Sequence, residues 1–211
     1  MYVSRRHVVS IGLLFLAASF LGRQASAADR PVLVCFGDSI TAGYGLEASK
    51  AYPAALQNLL ESRGYRYTVV NQGVSGNTTK DALDRLNSVL ALHPDIVLVE
   101  FGGNDGLRGL SAEIMRGNLE KVVAALKDAH IQVLLVGITL PPNFGEDYIH
   151  SFDAVYRAVA AKYNVPLKPM LYDGIYTVPG TIQEDGIHPT VKGSQLIAEH
   201  LLPLLLPMLH K

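Results

Sequence analysis

The chain has 211 residues, 18 Lys and Arg against 19 Asp and Glu, a formal net charge of −1, and one cysteine. It has no basic block or Lys/Arg stripe, so its charge pattern does not fit nucleic acid as a partner. A single cysteine excludes a disulfide within the chain and any thiolate-type zinc spacing.

The first 27 residues read as a secretory signal. Arg5 and Arg6 precede an apolar stretch, VVSIGLLFLAASFLG, at 8–22, and Ala25-Ser26-Ala27 is a small-residue cleavage site. The apolar stretch is shorter than the ~20 residues a spanning helix needs, so an uncleaved anchor ranks second. Ser4-Arg5-Arg6 also resembles the start of a twin-arginine signal, which leaves the export route open. A periplasmic or secreted protein is expected. Removing residues 1–27, with their three arginines, takes the formal net charge from −1 to −4. The remaining residues, 28–211, suffice for one domain with a sizeable core.

Apolar runs then alternate with segments of helical period. Strands are expected at 31–36, 67–71, 95–101, 131–138 and 165–171. Three of these are nearly continuous in Val, Leu and Ile, as in strands covered on both faces. Cys35 falls inside the first, as a buried small hydrophobe. A helix is expected over 78–92, where Thr78 and Asp81 form a capping box with Asp in place of Glu. Further amphipathic helices are expected over 111–130 and around 152–163. The tail 201–211 reads as a last helix covering the sheet, its regularity limited by Pro203 and Pro207. Repeated strand–helix alternation implies an α/β protein, a three-layer α/β/α arrangement around a five-stranded parallel sheet.

Ligands in such sheets bind beyond the carboxyl ends of the strands. The segments there are Gly37-Asp38-Ser39, Asn71 to Thr78, Gly102 to Gly106, Thr139 to Asn143, and a long loop ending in Asp185-Gly186-Ile187-His188-Pro189. They contain the parts acyl transfer requires. Ser39 is the candidate nucleophile and His188 the candidate base. Asp185, three residues before His188, can hold the imidazole Nδ1–H and leave Nε2 for the serine proton. Gly76 can bring a backbone N–H close to an oxyanion, with Gly73 as the competing choice, and Asn104 adds an uncharged amide donor. Each residue also has a plain structural role available. Ser39 or Asp38 can cap the following helix, Asn104 and Asp105 can form turns, and Asp185–His188 can be a surface ion pair. No G-x-S-x-G elbow is present. Two rival readings are a hydrolase with a metal held by Asp38, Asp105, Asp185 and His188, and a binding module without catalysis.

GDSITAGYG, VSGNTT, VEFGGNDGLRG and DGIHPT occur in this order between Gly37 and Thr190. In these blocks the chain resembles the SGNH, or GDSL, hydrolases, and the resemblance spans residues 31 to about 206. It implies a flavodoxin-like sheet of order 2-1-3-4-5, no metal and no cofactor. It implies Ser39 as nucleophile and Asp185 and His188 as its partners. Ser39 N–H, Gly76 N–H and the Asn104 side chain become the oxyanion donors, which favours Gly76 over Gly73. The implied substrates are small acyl esters, thioesters or lysophospholipids. A monomer with at most transient contact with a membrane surface is expected. Asn77 stands where Asp is usual in this family and changes the local charge. Leu107 and Leu110, an apolar pair set between glycines, are expected to line an acyl pocket, with Pro142 as a second wall.

Overall fold

The structure, a computed structural model, describes residues 30–211. The signal segment expected at 1–27 lies outside the described residues. Twelve elements matter here: β1 (Val32–Gly37), α1 (Ser39–Ala42), α2 (Tyr52–Ser62), β2 (Thr68–Gly73), α3 (Thr79–Leu90), β3 (Ile96–Glu100), α4 (Gly103–Leu107), α5 (Ala112–Asp128), β4 (Gln132–Val136), α6 (Glu146–Tyr163), β5 (Leu167–Lys168) and α7 (Val191–Leu205). The five strands form one sheet of order β2-β1-β3-β4-β5, and every pairing is parallel.

The apolar runs become the sheet's centre. All five residues of β3 are buried, as are five of six in β1 and four of five in β4. They are covered on both faces, with α2 packing beside α7, and α5 lying between α3 and α6. Such strands gain from β-branched side chains and lose nothing by lacking a polar face. The edges differ. In β2 every residue is partly or fully exposed, and β5 is cut to two residues between Pro166 and Pro169, because proline donates no hydrogen bond to a ladder.

The helix boundaries follow their caps. The Thr78–Asp81 capping box forms at the start of α3, each side chain bonding the other residue's backbone N–H. His93 and His130 lie just past α3 and α5 in the left-handed region, at φ 48° and 60°, the conformation that ends helices and more often falls to glycine. One expectation needs correction. α7 runs through Pro203 to Leu205, and a short 3-10 turn then carries Pro207. Pro203 faces solvent, while Leu201, Leu202, Leu205 and Met208 are buried. That burial offsets the roughly 3 kcal/mol a helical proline costs.

Close approach of the first crossover fixes where β1 delivers its last residues. A Cβ on Gly73 would lie 2.1 Å from the Ala42 backbone nitrogen and 2.6 Å from Ala42 Cα. Backbone cannot yield as a side chain does, so Gly73→Ala is expected to destabilise the fold by about 1–3 kcal/mol. The expected observation is a lower urea midpoint at unchanged m-value.

Candidate active site

β1 ends at Gly37, and Asp38 turns the chain into α1. Asp38 is the helix N-cap: its Oδ1 accepts from Ile40 N–H at 3.0 Å. With capping assigned to Asp38, the Ser39 hydroxyl on the next residue is free to point elsewhere. Ser39 Oγ lies 2.8 Å from His188 Nε2. On the other side of the ring, His188 Nδ1 lies 2.6 Å from Asp185 Oδ2. With Nδ1 protonated toward the carboxylate, Nε2 is the acceptor for the serine proton.

Asp185 is held by more than the imidazole. Its Oδ1 accepts the backbone N–H groups of Ile187 (2.9 Å) and His188 (3.0 Å). Partial burial alone would raise its pKa; the donors from His188 and Ile187 outweigh that and bring it down to about 2. The loop itself is pinned from several sides. Gln183 N–H donates to the His188 carbonyl at 2.8 Å, Tyr172 Oη donates to the Ile187 carbonyl at 2.9 Å, and Tyr176 Oη donates to the Gly186 carbonyl. Gln183 Nε2 ties the loop to α1's exit through the Tyr44 carbonyl at 2.8 Å. The Tyr44 ring rests 4.5 Å from the imidazole, centre to centre.

The three expected oxyanion donors have different settings. As the first residue of α1, Ser39 has an N–H with no partner inside the helix. Gly76 sits in a left-handed turn at φ 81°, its carbonyl accepting from Arg108 at 2.8 Å. Among the described residues, neither the Ser39 nor the Gly76 N–H meets a protein acceptor. The Gly73 N–H is taken by Asn71 Oδ1 at 2.9 Å, which removes the competing choice. Asn104 lies in α4, and its Nδ2 donates to Asp38 Oδ2 and to the Asn77 carbonyl, both at 3.0 Å. Asn77 Oδ1 in turn accepts from Arg85 Nε at 2.7 Å. An amide therefore meets Arg85 where an aspartate would have supplied charge.

α4 is fixed from below. Asp105 is buried and accepts from Thr79 N–H (2.9 Å) and Thr79 Oγ1 (2.6 Å), joining α4 to the start of α3. Its carboxylate is an anchor rather than a turn former. Among the described residues, no three His, Cys, Asp or Glu side chains gather as a metal-holding group. Cys35 is buried in β1, where desolvation pushes its thiol up to about 12.

A cavity of about 420 Å³ opens beside Ser39, Asn104 and His188, walled by Leu107, Ile138, Leu140, Pro142, Met170 and Tyr176 among others. Leu107 and Pro142 thus stand where expected. Gly76 does not reach this wall, and neither does Leu110. Gly109, at φ 66°, reverses the chain after α4. The Leu110 N–H then returns to the Asp105 carbonyl, and its own carbonyl accepts from Tyr148 at 2.6 Å. After that turn Leu110 stands off the cavity wall, which corrects the expectation for it.

Residues 35–196 match the GDSL-like lipase/acylhydrolase family. The chain belongs to that family. It is 42% identical over 195 residues to "Esterase TesA" of Pseudomonas aeruginosa, covering 92% of this chain and 96% of the relative. It is 39% identical over 199 residues to "Thioesterase 1/protease 1/lysophospholipase L1" of Escherichia coli K12, covering 94% and 93%. The crystal structure of TesA superposes with a TM-score of 0.81 at 42% identity, covering 84% of this chain and 99% of that one. The SGNH fold expected from the four blocks is therefore this chain's fold.

In this GDSL-family acylhydrolase, Tyr44, Glu100, Tyr172 and Tyr176 border or brace the site without having been singled out as site residues. The geometry separates the two leucines of the 106–110 loop. Leu107→Ala is expected to shift relative activity across p-nitrophenyl esters of increasing chain length. Leu110→Ala is expected to leave that profile within about twofold, since surface substitutions away from a pocket change little.

Proposed function

We propose that this acylhydrolase cleaves carboxylic esters through an acyl-enzyme on Ser39. The observation that carries the proposal is the hydrogen-bonded line Asp185–His188–Ser39, with contacts of 2.6 and 2.8 Å, whose Ser39 and His188 line an apolar cavity. His188 Nε2 takes the Ser39 proton as Oγ attacks the acyl carbonyl, and Asp185 stabilises the imidazolium that results. The developing oxyanion is received by the N–H groups of Ser39 and Gly76 and by the Asn104 amide, which keeps its bond to Asp38 and releases the Asn77 carbonyl to turn its second N–H to the oxyanion. Each such donor is worth about 2.7–4 kcal/mol in the transition state. His188 returns its proton to the leaving group. It then activates water against the acyl-enzyme, and the acid departs as Ser39 regains its proton.

The relatives' names support a range of acyl donors on this one site: ester, thioester and lysophospholipid. All three offer the same carbonyl, and an apolar cavity suits the acyl chain. The amino-terminal segment, Arg5-Arg6 followed by an apolar stretch and Ala25-Ser26-Ala27, supports export. We read the enzyme as a periplasmic or secreted monomer that touches lipid surfaces at most in passing.

Ser39→Ala is expected to lower turnover of p-nitrophenyl butyrate by on the order of 10³-fold or more, with the thermal transition retained. Near-wild-type turnover would refute the mechanism. Asp185→Asn is expected to lower kcat by about 10⁴-fold, because the imidazole loses the partner that sets its tautomer. The same variant tests the electrostatics of the loop. The Asp185 pKa is depressed to about 2 in the fold, so its ionised form stabilises the fold above about pH 4. That contribution is lost as pH falls toward 2. A denaturation series should therefore show a shallower acid decline in Asp185→Asn than in the wild type.

A further inference from the structure

Beneath Ser39 lies a pair of buried carboxyl groups that the mechanism above does not use. Glu100 is the last residue of β3, opposite Gly37 in the ladder. It is 1% exposed, and Asp38 is 2% exposed. Glu100 Oε2 accepts from Thr41 Oγ1 at 2.8 Å, and Thr41 Oγ1 also contacts Tyr52 Oη at 2.9 Å. A Cβ on Gly37 would lie 2.7 Å from Glu100 Oε2, so the glycine leaves the room that the acid occupies. The other oxygen, Oε1, has no well-formed hydrogen bond, although it is out of contact with solvent. Glu100 packs against Gly37 and Thr41, the residues before and after the Asp38 turn, so its carboxyl lies beside that turn.

Two buried carboxylates side by side cannot both be ionised without a large penalty, and a buried acceptor without a donor is itself costly. One proton removes both problems. Placed on Glu100, it lets Oε1–H donate to Asp38. Desolvation pushes Glu100 well above the usual carboxyl range. Asp38 is also raised by burial, to about 6, and is held there by donors that include Ile40, Glu100 and Asn104. Both Asp38 oxygens already accept donors while Glu100 Oε1 has none, so Glu100 is the member that keeps the proton. Asp38, ionised, holds Ile40 N–H through Oδ1 and Asn104 Nδ2 through Oδ2.

We propose that Glu100 is a positioning residue, whose proton, shared with Asp38, holds the Asn104 amide and the start of the Ser39 helix in place for the oxyanion. The pair then carries one negative charge rather than two beneath the point where negative charge develops in the transition state, which such sites must keep low. The role rests on the assignment of Ser39 and Asn104 under Proposed function. Ester turnover by the wild-type chain tests that assignment, whereas the pattern among variants tests Glu100.

The experiment measures kcat and KM on p-nitrophenyl butyrate for the full chain and five variants: Glu100→Gln, Glu100→Leu, Asp38→Asn, Asn104→Ala and the double variant Glu100→Leu/Asn104→Ala. Glutamine can donate from Nε2 to Asp38 while its oxygen accepts from Thr41, so Glu100→Gln should keep kcat within about threefold. Glu100→Leu should fold cooperatively yet lose about 10²-fold in kcat with KM within about twofold, the size of one mispositioned oxyanion donor. In the Asn104→Ala background the same leucine should cost less than about threefold, because both changes remove one function. Asp38→Asn turns a donor toward Asn104 and should lose kcat as Glu100→Leu does, which keeps the test available if the leucine variant does not fold. The proposal is overturned if Glu100→Gln falls as far as Glu100→Leu, if Glu100→Leu or Asp38→Asn keeps wild-type kcat, or if the leucine costs as much with Asn104→Ala as without it.

Discussion

The hydrogen bond between Ser39 Oγ and His188 Nε2 joins residues 149 positions apart, and much of the fold bears on that one distance. β1 must be buried on both faces to hold Gly37 still. β2 must approach α1 closely enough that residue 73 carries no side chain. The loop before α7 must be stiff enough to keep an imidazole in place although much of it is exposed. It achieves this without a disulfide, through Asp185 accepting three donors from two neighbouring residues and through Tyr172, Tyr176 and Gln183 bonding its backbone. A single parallel sheet provides the geometry, since all its strands end on the same rim.

Asp38 concentrates these constraints in one side chain. It caps the helix that carries Ser39, tethers the amide of Asn104, and lies beside Glu100. Asp105 does similar work one residue after Asn104, tying α4 to α3. The oxyanion side of the site therefore rests on buried carboxylates, held by donors from α1, α3 and α4. Such networks are costly unless every member is satisfied, and the proton assigned to Glu100 satisfies the last of them.

The sequence displayed some of this better than the rest. β1, β3 and β4 were legible because double burial leaves an unbroken apolar run, and α3 because its capping box is written in Thr78 and Asp81. α2 left little sign, since Ala51 offers no side chain to cap it. β5 was overestimated because apolar character persists across Pro166 and Pro169 while ladder bonding does not. At the site, Ser39, Asp185, His188 and Asn104 stand in short blocks whose chemistry is visible residue by residue. Leu110 was misjudged because an apolar residue in a loop carries no direction until the turn at Gly109 is known. Glu100 was passed over because a buried acid inside a strand reveals its purpose only when its neighbour, 62 positions earlier in the chain, is seen.

The central claim is that Ser39 becomes acylated. The most direct measurement is rapid mixing of the enzyme with a p-nitrophenyl ester, followed by acid quench and peptide mass analysis. A burst of about one p-nitrophenolate per chain, with the acyl mass on the peptide containing Ser39, is the predicted result. Turnover with no burst and no adduct, or an adduct on another residue, would contradict the account.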